Sequence, residues 1–442
     1  MSGVNGAAHG NQLSLDRDLV PPFTALQAMA ESSRCLYCYE AACVTACPTA
    51  IDIPGFIRKI GTGNVKGAAR TILDANIMGG TCARACPTEV LCEQACVRNK
   101  AEAEPVAIGR LQRYATDALF KAGVQPFTRQ APTGKHVAVV GGGPAGLACA
   151  HRLALLGHEV TVFEARAKAG GLNEYGLAAY KMVGDFAQRE VDFILSLGGI
   201  SVKTGMALGR DVTLAQLRQD FDAVFLGVGL AGINTLGVAG EDLAGVADAV
   251  DVIAALRQRT APPVAVAGPL AGRRVVVIGG GNTAVDAAIQ SLCAGAAEVT
   301  MAYRRGTAEM GATGHEQDLA RTQGVVLRTW LAPREILGAG GAVSGIVLER
   351  MAMDAGRLVG TGETVTIPCD VVLKAVGQKL APGGLDGLAL AGGRIQVDET
   401  LATSLPGVYA GGDCIKSGED LTVQSVADGK AAAFAIDAYL KA

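Results

Sequence analysis

The sequence predicts an α/β protein in which a helical, cysteine-rich N-terminal domain precedes two Rossmann-like dinucleotide-binding domains. Three observations predict this organisation. Eight of the twelve cysteines lie between Cys35 and Cys96 in two compact groups. A G-x-G-x-x-G motif begins at Gly141, and a closely similar motif begins at Gly279. The chain of 442 residues can accommodate two or three domains, since one domain averages about 150 residues.

Composition and charge exclude several classes of function. The formal net charge of −3 gives no electrostatic basis for binding nucleic acid. The N-terminus lacks a basic segment followed by an apolar run, and no uninterrupted apolar stretch reaches about 18 residues. We therefore expect a cytoplasmic protein without a membrane span. Its cysteines should stay reduced and available for metal ligation.

The N-terminal domain is predicted to be helical and to extend over residues 1–130. Apolar residues recur at helical intervals in residues 23–32, 53–76 and 108–121. We interpret residues 53–76 as two short helices that separate the two cysteine groups.

The cysteine spacings predict iron–sulfur clusters. The first group reads C-x2-C-x4-C-x3-C-P and the second C-x3-C-P-x4-C-x3-C. Such runs are typical of ferredoxin-like sites, where the cysteine before the proline can ligate the other cluster of a pair. The hypothesis is two 4Fe–4S clusters. The alternative is two zinc sites of four thiolates each.

The first glycine motif predicts a FAD site. A buried strand, a glycine turn, a helix and a second strand follow one another from residue 135. Gly141 permits a tight turn, Gly143 lets the backbone approach a pyrophosphate, and Gly146 permits close helix–strand packing. The helix N-terminus attracts phosphate, and Glu164 is placed to accept hydrogen bonds from a ribose.

The second motif predicts the NAD(P) site, formed by Gly279, Gly281, Asn282 and Ala284. Tyr303 occupies the position equivalent to Glu164, and Arg304 and Arg305 follow it. Arginines in place of the ribose-binding acid suit a 2′-phosphate, which favours NADPH over NADH. In the alternative interpretation, the arginines form a solvated edge that contacts only adenine or pyrophosphate.

The remaining strands predict that the FAD domain is split. Residues 221–230 and 369–378 are apolar strands ending in small residues, and Asp413 follows a buried strand and two glycines. A C-terminal helix begins near Thr422, with its N-terminus towards the flavin. We place the FAD domain at residues 131–240 and 370–442, and the NAD(P) domain at residues 241–369. The predicted FAD-binding residues are Gly141, Gly143, Gly146, Glu164, Gly171, Asp413 and Thr422.

No redox-active disulfide pair is expected. The segments GGLNEYG and AVDAAIQ lack the paired cysteines of disulfide reductases. Cys149, Cys293, Cys369 and Cys414 are isolated, and we expect small buried hydrophobic residues there. The cysteine-rich domain is therefore the expected electron exit from the flavin, a role that redox-inert zinc could not serve. His315 is expected at the surface.

The cysteine segments, together with IGRLQRYATD and LTVQSVADGKAAA, resemble the N-terminal part of dihydropyrimidine dehydrogenase and its separate bacterial flavin subunit. The glutamate synthase small subunit is also similar. The resemblance extends from about residue 23 to the C-terminus. The longer spacing in CPTEVLCEQAC favours the pyrimidine branch. Met310 is not followed by the family's usual proline, and Lys181 stands where arginine is common.

This resemblance implies the cluster ligands and the role of the chain. Cluster 1 would use Cys35, Cys38, Cys43 and Cys96, and cluster 2 would use Cys47, Cys86, Cys92 and Gln112. Spacing alone would select Cys82 instead of Gln112. The implied activity transfers electrons from NAD(P)H through FAD and two clusters to an FMN-containing partner subunit that reduces uracil and thymine. A glutamate synthase small subunit and a ferredoxin-like carrier are the alternatives.

Overall fold

The computed structural model describes residues 13–381, 383–416 and 419–442. These residues form two compact units. The larger unit contains Val20–Glu174, Asp185–Gly232 and Gln378–Ala442. The smaller unit contains residues 13–19, Tyr175–Gly184 and Ile233–Gly377.

The helices are numbered in chain order over both units. They are α1 Ala25–Ser32, α2 Ala42–Thr45, α3 Ile53–Gly61, α4 Val65–Ala75, α5 Gly79–Ala85, α6 Arg98–Glu102, α7 Ile108–Ala122, α8 Pro144–Leu155, α9 Leu172–Tyr175, α10 Phe186–Leu195, α11 Leu214–Asp220, α12 Ala249–Gln258, α13 Asn282–Cys293, α14 Gly314–Thr322 and α15 Thr422–Lys441.

The strands are numbered in the same way. They are β1 His136–Val140, β2 Glu159–Glu164, β3 Ile200–Thr204, β4 Ala223–Leu226, β5 Gly232–Ile233, β6 Val246–Asp248, β7 Arg274–Ile278, β8 Glu298–Tyr303, β9 Val326–Thr329, β10 Leu331–Ala339, β11 Ala342–Asp354, β12 Arg357–Ile367, β13 Val371–Lys374, β14 Gln378–Lys379, β15 Leu390–Ala391, β16 Arg394–Ile395 and β17 Val408–Ala410.

The larger unit combines the N-terminal helices with a parallel sheet of order β17-β4-β1-β2-β3. Strand β1 pairs with β2 from His136 opposite Glu159, and its next four residues are buried. Helices α8 and α15 pack together closely, because a Cβ on Gly429 would lie 2.0 Å from the carbonyl oxygen of Ala145. A C-terminal segment of the chain thus supplies an edge strand of this sheet, β17.

The predicted N-terminal helices are confirmed as α1, α3, α4 and α7. Asp52 and Asn64 cap the N-termini of α3 and α4, accepting hydrogen bonds from Gly55 and Gly67. Their buried faces pack with α7 in a core that includes Phe56, Ile72 and Leu111. The same core contains Leu147 of α8, Ile194 of α10 and Val426 of α15. The cysteine-rich helices therefore share one hydrophobic core with the first dinucleotide-binding fold.

The smaller unit contains a second parallel sheet, of order β6-β13-β7-β8-β9, and an antiparallel sheet, β10-β11-β12. Residues 175–184 pack on this unit through Ala178 and Tyr180, which are fully buried. The antiparallel sheet was not part of the sequence prediction. Among the described helices, none is both long and apolar enough to cross a membrane.

Candidate functional site

The first glycine turn connects β1 to α8 and leaves one open position. A Cβ on Gly141 would lie 2.3 Å from the carbonyl oxygen of Gly227, and one on Gly146 would lie 1.9 Å from that of Gly141. Both positions therefore require glycine. At Gly143 the nearest atom would be the Cα of Gly171, at 3.6 Å. Helix α8 begins directly after this open position without a side-chain cap, so its N–H groups are available to a phosphate.

Glu164 lies at the end of β2 and is buried. One carboxylate oxygen accepts a hydrogen bond from the backbone N–H of Gly142 (2.7 Å), and the other accepts one from Arg166 (2.8 Å). A carboxylate has about four acceptor positions. Glu164 thus fixes the glycine turn and retains acceptor capacity for a ribose.

Asp413 and its neighbours form the second segment that was predicted to bind FAD. Asp413 accepts a hydrogen bond from the Ser425 hydroxyl (3.1 Å), and the N–H of Gly412 donates to Asp428 (2.9 Å). Burial raises the pKa of Asp413, and the nearby Asp420 raises it further. Sequence reasoning missed Ser425 and Asp428, which lie one helical turn apart on α15 and hold the glycine-rich segment before them.

Thr422 is the first residue of α15. Its hydroxyl donates to the side-chain oxygen of Asn173 (2.8 Å), and the Asn173 amide lies 3.3 Å from the sulfur of Met78. Gly171 approaches the first glycine turn, where its Cβ would lie 2.7 Å from the Cα of Gly143. The structure therefore brings Gly143, Gly171 and Glu164 to the same turn, and it connects Thr422 to α5 through Asn173.

The second glycine turn, between β7 and α13, has the same design. A Cβ on Gly279 would lie 2.3 Å from the carbonyl oxygen of Ala375, whereas nothing lies within 4 Å of one on Gly281. Asn282 begins α13, and its side-chain oxygen is buried without a hydrogen-bond partner in the described chain. Ala284 is fully buried. An open backbone position beside an unpartnered polar atom fits a polar ligand such as a dinucleotide.

The segment after β8 borders this second turn. The Tyr303 ring packs against Gly280, and its hydroxyl donates to the carbonyl oxygen of Glu309 (2.7 Å). Arg304 is exposed and Arg305 is half-buried, and neither guanidinium has an ion-pair partner in the described part of the chain. The two arginines are therefore free to bind an anion. His315 is exposed, as predicted.

The loop that lacks the usual proline still contacts the second glycine turn. The N–H of Ala312 donates to the carbonyl oxygen of Gly280 (2.9 Å). Gln317 donates from its side-chain amide to the carbonyl oxygens of Thr307 and Ala312. The buried Gln317 thus fixes a loop that sequence reasoning left undefined.

Lys181 lies in a buried ionic cluster of the smaller unit. Its ammonium group is 2.8 Å from Asp286 on α13 and 2.6 Å from Glu316 on α14. The Tyr180 hydroxyl also donates to Asp286 (3.0 Å). Burial alone would lower the pKa of Lys181, but the two carboxylates outweigh it and raise the pKa. Lysine thus pairs with both carboxylates at the position where the family often has arginine.

The four cysteines predicted for cluster 1 line one cavity. Cys35, Cys38, Cys43 and Cys96 surround it together with apolar residues such as Ile53, Val106 and Ile108. Burial raises the pKa of Cys43 to about 11, and neighbouring Cys35 and Cys96 contribute to this shift. Ligation here must therefore displace protons from the thiols.

The cysteines predicted for cluster 2 lie close together around α5. Burial raises the pKa of Cys86, with further contributions from Cys82, Cys92 and Cys47. Gln112 is buried on α7, and its amide nitrogen donates to the carbonyl oxygen of Gly79 (2.7 Å), which leaves the amide oxygen free. Cys82 accepts a hydrogen bond from the Asn76 amide (3.2 Å). Both candidates for the fourth ligand therefore meet at α5, because Cys82 is part of this helix and Gln112 contacts it through Gly79.

Among the described residues, no three His, Cys, Asp or Glu side chains converge on one point as the ligands of a single ion would. A four-iron cluster binds each thiolate through a different iron, so its ligands stand further apart. Of the isolated cysteines, Cys149, Cys369 and Cys414 are buried as predicted, and Cys293 is half-buried.

Comparisons with known proteins match two parts of the chain to two families. Residues 14–124 match the family described as dihydropyrimidine dehydrogenase domain II, 4Fe-4S cluster. Residues 135–429 match the pyridine nucleotide-disulphide oxidoreductase family. The chain is thus a pyridine nucleotide-dependent flavoprotein oxidoreductase with 4Fe–4S clusters.

Individual relatives identify the family of the chain more specifically. The chain is 35% identical to the glutamate synthase [NADPH] small chain of Escherichia coli, over 96% of this chain and 94% of that one. It is 33% identical to the NAD-dependent dihydropyrimidine dehydrogenase subunit PreT of Salmonella typhimurium, over 96% and 97%. The protein therefore belongs to the family of flavin and iron–sulfur electron-transfer subunits that includes PreT and the glutamate synthase small chain.

Two further similarities are less specific. The chain is 36% identical to the NADP(+)-dependent formate dehydrogenase subunit beta of Moorella thermoacetica over 91% of its length, but it spans only 60% of that relative. The thioredoxin reductase of T. acidophilum superposes with a TM-score of 0.55 at 24% identity, over 69% of this chain and 98% of that one. The latter similarity concerns the fold alone.

Proposed function

We propose that this chain is the electron-input subunit of a dihydropyrimidine dehydrogenase. It accepts electrons from NAD(P)H and delivers them to an FMN-containing catalytic subunit that reduces uracil and thymine to their 5,6-dihydro forms. The observation that carries the electron-input role is the hydrophobic core common to α4, α7, α8 and α15. Because of this core, the cluster-bearing helices and the flavin-binding fold are held at a fixed separation, as repeated electron transfer between them requires.

In the larger unit, the chain binds and orients FAD. The open backbone at Gly143 and the free N–H groups of α8 bind the pyrophosphate, and Glu164 accepts from the ribose. Asp413, held by Ser425, and the N-terminus of α15 at Thr422 bind the flavin end. When bound, FAD accepts a hydride from NAD(P)H, and the 4Fe–4S clusters accept electrons one at a time.

In the smaller unit, the chain selects the nicotinamide cofactor. Gly281 and the N-terminus of α13 bind the pyrophosphate, beside the unpartnered oxygen of Asn282. Arg304 and Arg305 bind a 2′-phosphate, which makes NADPH the preferred donor. Tyr303 supports this preference, because its hydroxyl is directed to Glu309 and no carboxylate occupies its position to repel the phosphate.

In the cluster domain, cysteine thiolates hold the two clusters. Cys35, Cys38, Cys43 and Cys96 ligate cluster 1. Cys47, Cys86, Cys92 and Gln112 ligate cluster 2. The free amide oxygen of Gln112 and the hydrogen bond from Asn76 to Cys82 both favour Gln112 over Cys82 as the fourth ligand.

A glutamate synthase small subunit is the second candidate, favoured by the 35% identity to the E. coli small chain. The two candidates share every cofactor and differ in the partner. The longer CPTEVLC spacing supports the pyrimidine partner.

The test reconstitutes the chain anaerobically with each partner. NADPH and NADH oxidation is followed with the FMN subunit of a dihydropyrimidine dehydrogenase and uracil, and separately with a glutamate synthase large subunit, glutamine and 2-oxoglutarate. We expect uracil-dependent oxidation, faster with NADPH. A Cys38→Ser variant should retain FAD but lose this coupling. Oxidation that responds only to glutamine and 2-oxoglutarate would exclude the pyrimidine assignment.

A further inference from the structure

A continuous series of contacts crosses the larger unit from the first residue of α15 to the cluster domain. The Thr422 hydroxyl donates to the oxygen of Asn173 (2.8 Å), and the Asn173 amide lies 3.3 Å from the sulfur of Met78. Met78 precedes Gly79, whose carbonyl oxygen accepts a hydrogen bond from Gln112 (2.7 Å). The series therefore connects a residue assigned to FAD with a residue assigned to cluster 2.

The middle of this series is enclosed by protein. Asn173 is 2% exposed and Met78 is 1% exposed. Gly79 has no room for a side chain, because its Cβ would lie 2.5 Å from a methyl carbon of Ile72. The route consists of covalent bonds and three contacts of 2.8, 3.3 and 2.7 Å, and an electron passes more readily through such bonded and hydrogen-bonded atoms than across an empty space.

The hydrogen bond from Thr422 stabilises Asn173, but stability gives little reason for the contact between its amide and Met78. A thioether sulfur is a weak hydrogen-bond acceptor, so the contact with Met78 contributes little to folding. The side-chain oxygen of the buried Asn173 nevertheless contacts Thr422, and its side-chain nitrogen contacts Met78. A second buried amide, Asn76, accepts from the N–H of Met78 (3.0 Å) and fixes the start of α5.

We propose that Asn173 and Met78 are positioning residues that form the electron route between FAD and cluster 2. The inference rests on the proposed function. Reduced FAD carries two electrons and two protons from NAD(P)H and solvent. Both electrons would pass one at a time by this route to cluster 2, one of them would continue from cluster 2 to cluster 1, and both protons would leave to solvent as oxidised FAD is regenerated.

The test uses Met78→Leu and Asn173→Leu in the full chain, loaded with FAD and iron. Met78→Leu conserves side-chain volume and does not contact Thr422, so it should fold and retain FAD. Met206→Leu, at a half-buried methionine of the same unit, and Asn234→Leu, at an asparagine outside the route, are the matched controls. Flavin bleaching is followed by stopped-flow absorbance, and cluster reduction is followed by freeze-quench EPR.

We expect flavin bleaching at the wild-type rate in Met78→Leu and in both controls. The EPR signal of the reduced clusters should rise several-fold more slowly in Met78→Leu and Asn173→Leu, and in Met78→Leu the signal shape, cluster midpoint potentials and thermal unfolding midpoint should stay at their wild-type values. If Met78 had only a structural role, its substitution would change the signal shape, the midpoint potentials or the unfolding midpoint, and not the rate of cluster reduction. Wild-type EPR kinetics in Met78→Leu with full cofactor content would overturn the proposal. Absence of flavin bleaching by NAD(P)H in the wild-type chain would refute the proposed function itself.

Discussion

Two glycines offer a sharp test of which turn binds which nucleotide. Gly143 and Gly281 each precede a helix with ordinary φ values, −81° and −98°, and alanine can adopt both. A Cβ would meet only Gly171 at 3.6 Å in the first case and nothing within 4 Å in the second. Replacement by alanine should therefore fill space that only a ligand uses.

The expected effect on stability is small. Glycine is favoured over alanine at a helix N-cap, while alanine reduces the entropy of the unfolded chain, and these opposing terms leave a change below about 1 kcal/mol. The effect on binding is larger. Losing one charge-assisted hydrogen bond between the backbone and a pyrophosphate costs about 1.5–3 kcal/mol. This corresponds to roughly a ten- to hundredfold weaker Kd.

The prediction is that each variant affects a different nucleotide. Gly281→Ala should retain FAD but bind NADP+ weakly, as measured by fluorescence titration. Gly143→Ala should lose FAD on gel filtration. Gly314→Ala, at an exposed glycine with open space around its Cβ, is the control for both measurements. Unchanged NADP+ affinity in Gly281→Ala, or loss of FAD from that variant, would refute the assignment of the two turns.

Three further predictions concern buried groups. Lys181→Met should lower the free energy of unfolding by about 3–5 kcal/mol, because it leaves Asp286 buried without its cation. Urea titration measures this, and Lys181→Arg should lose less. Glu190 is buried on α10, where its carboxyl group accepts hydrogen bonds from the backbone N–H groups of Gly80 and Thr81. Burial raises the pKa of Glu190 to about 7 from an ordinary 4.5, so the folded state holds a proton that the unfolded state releases. Wild-type stability should therefore fall as pH rises from about 4.5 to about 7, relative to Glu190→Gln, and parallel pH profiles would contradict this. Cys82→Ser should retain about eight irons per chain, whereas Gln112→Ala should retain fewer. Iron loss in Cys82→Ser alone would reverse the choice of ligand.

The sequence alone was sufficient to predict those features that depend on the spacing of residues within one short segment. The glycine turns, their helices and the first cysteine group are encoded within short segments, and the structure places the corresponding elements where the patterns predicted them. The antiparallel sheet was missed because β12 is mostly exposed and carries little apolar alternation.

Contacts between distant segments could not be predicted. Asn173 and Met78 are 95 positions apart, and Lys181 and Glu316 are 135 positions apart. No spacing rule relates such pairs, since the packing of whole helices brings them together. Spacing alone could not select Gln112 for the same reason, and only the family resemblance of the segment IGRLQRYATD pointed to it.

The shared core of the larger unit also bears on how the protein is made. Many small metal domains remain unfolded until the metal binds, because they bury too little apolar surface on their own. Here Phe56, Ile72 and Leu111 are fully buried in a core that continues into the flavin-binding fold. The polypeptide can thus reach its native fold before iron is delivered. Maturation would then insert the clusters into a domain whose helices are already packed, at cysteines such as Cys38 that line one cavity.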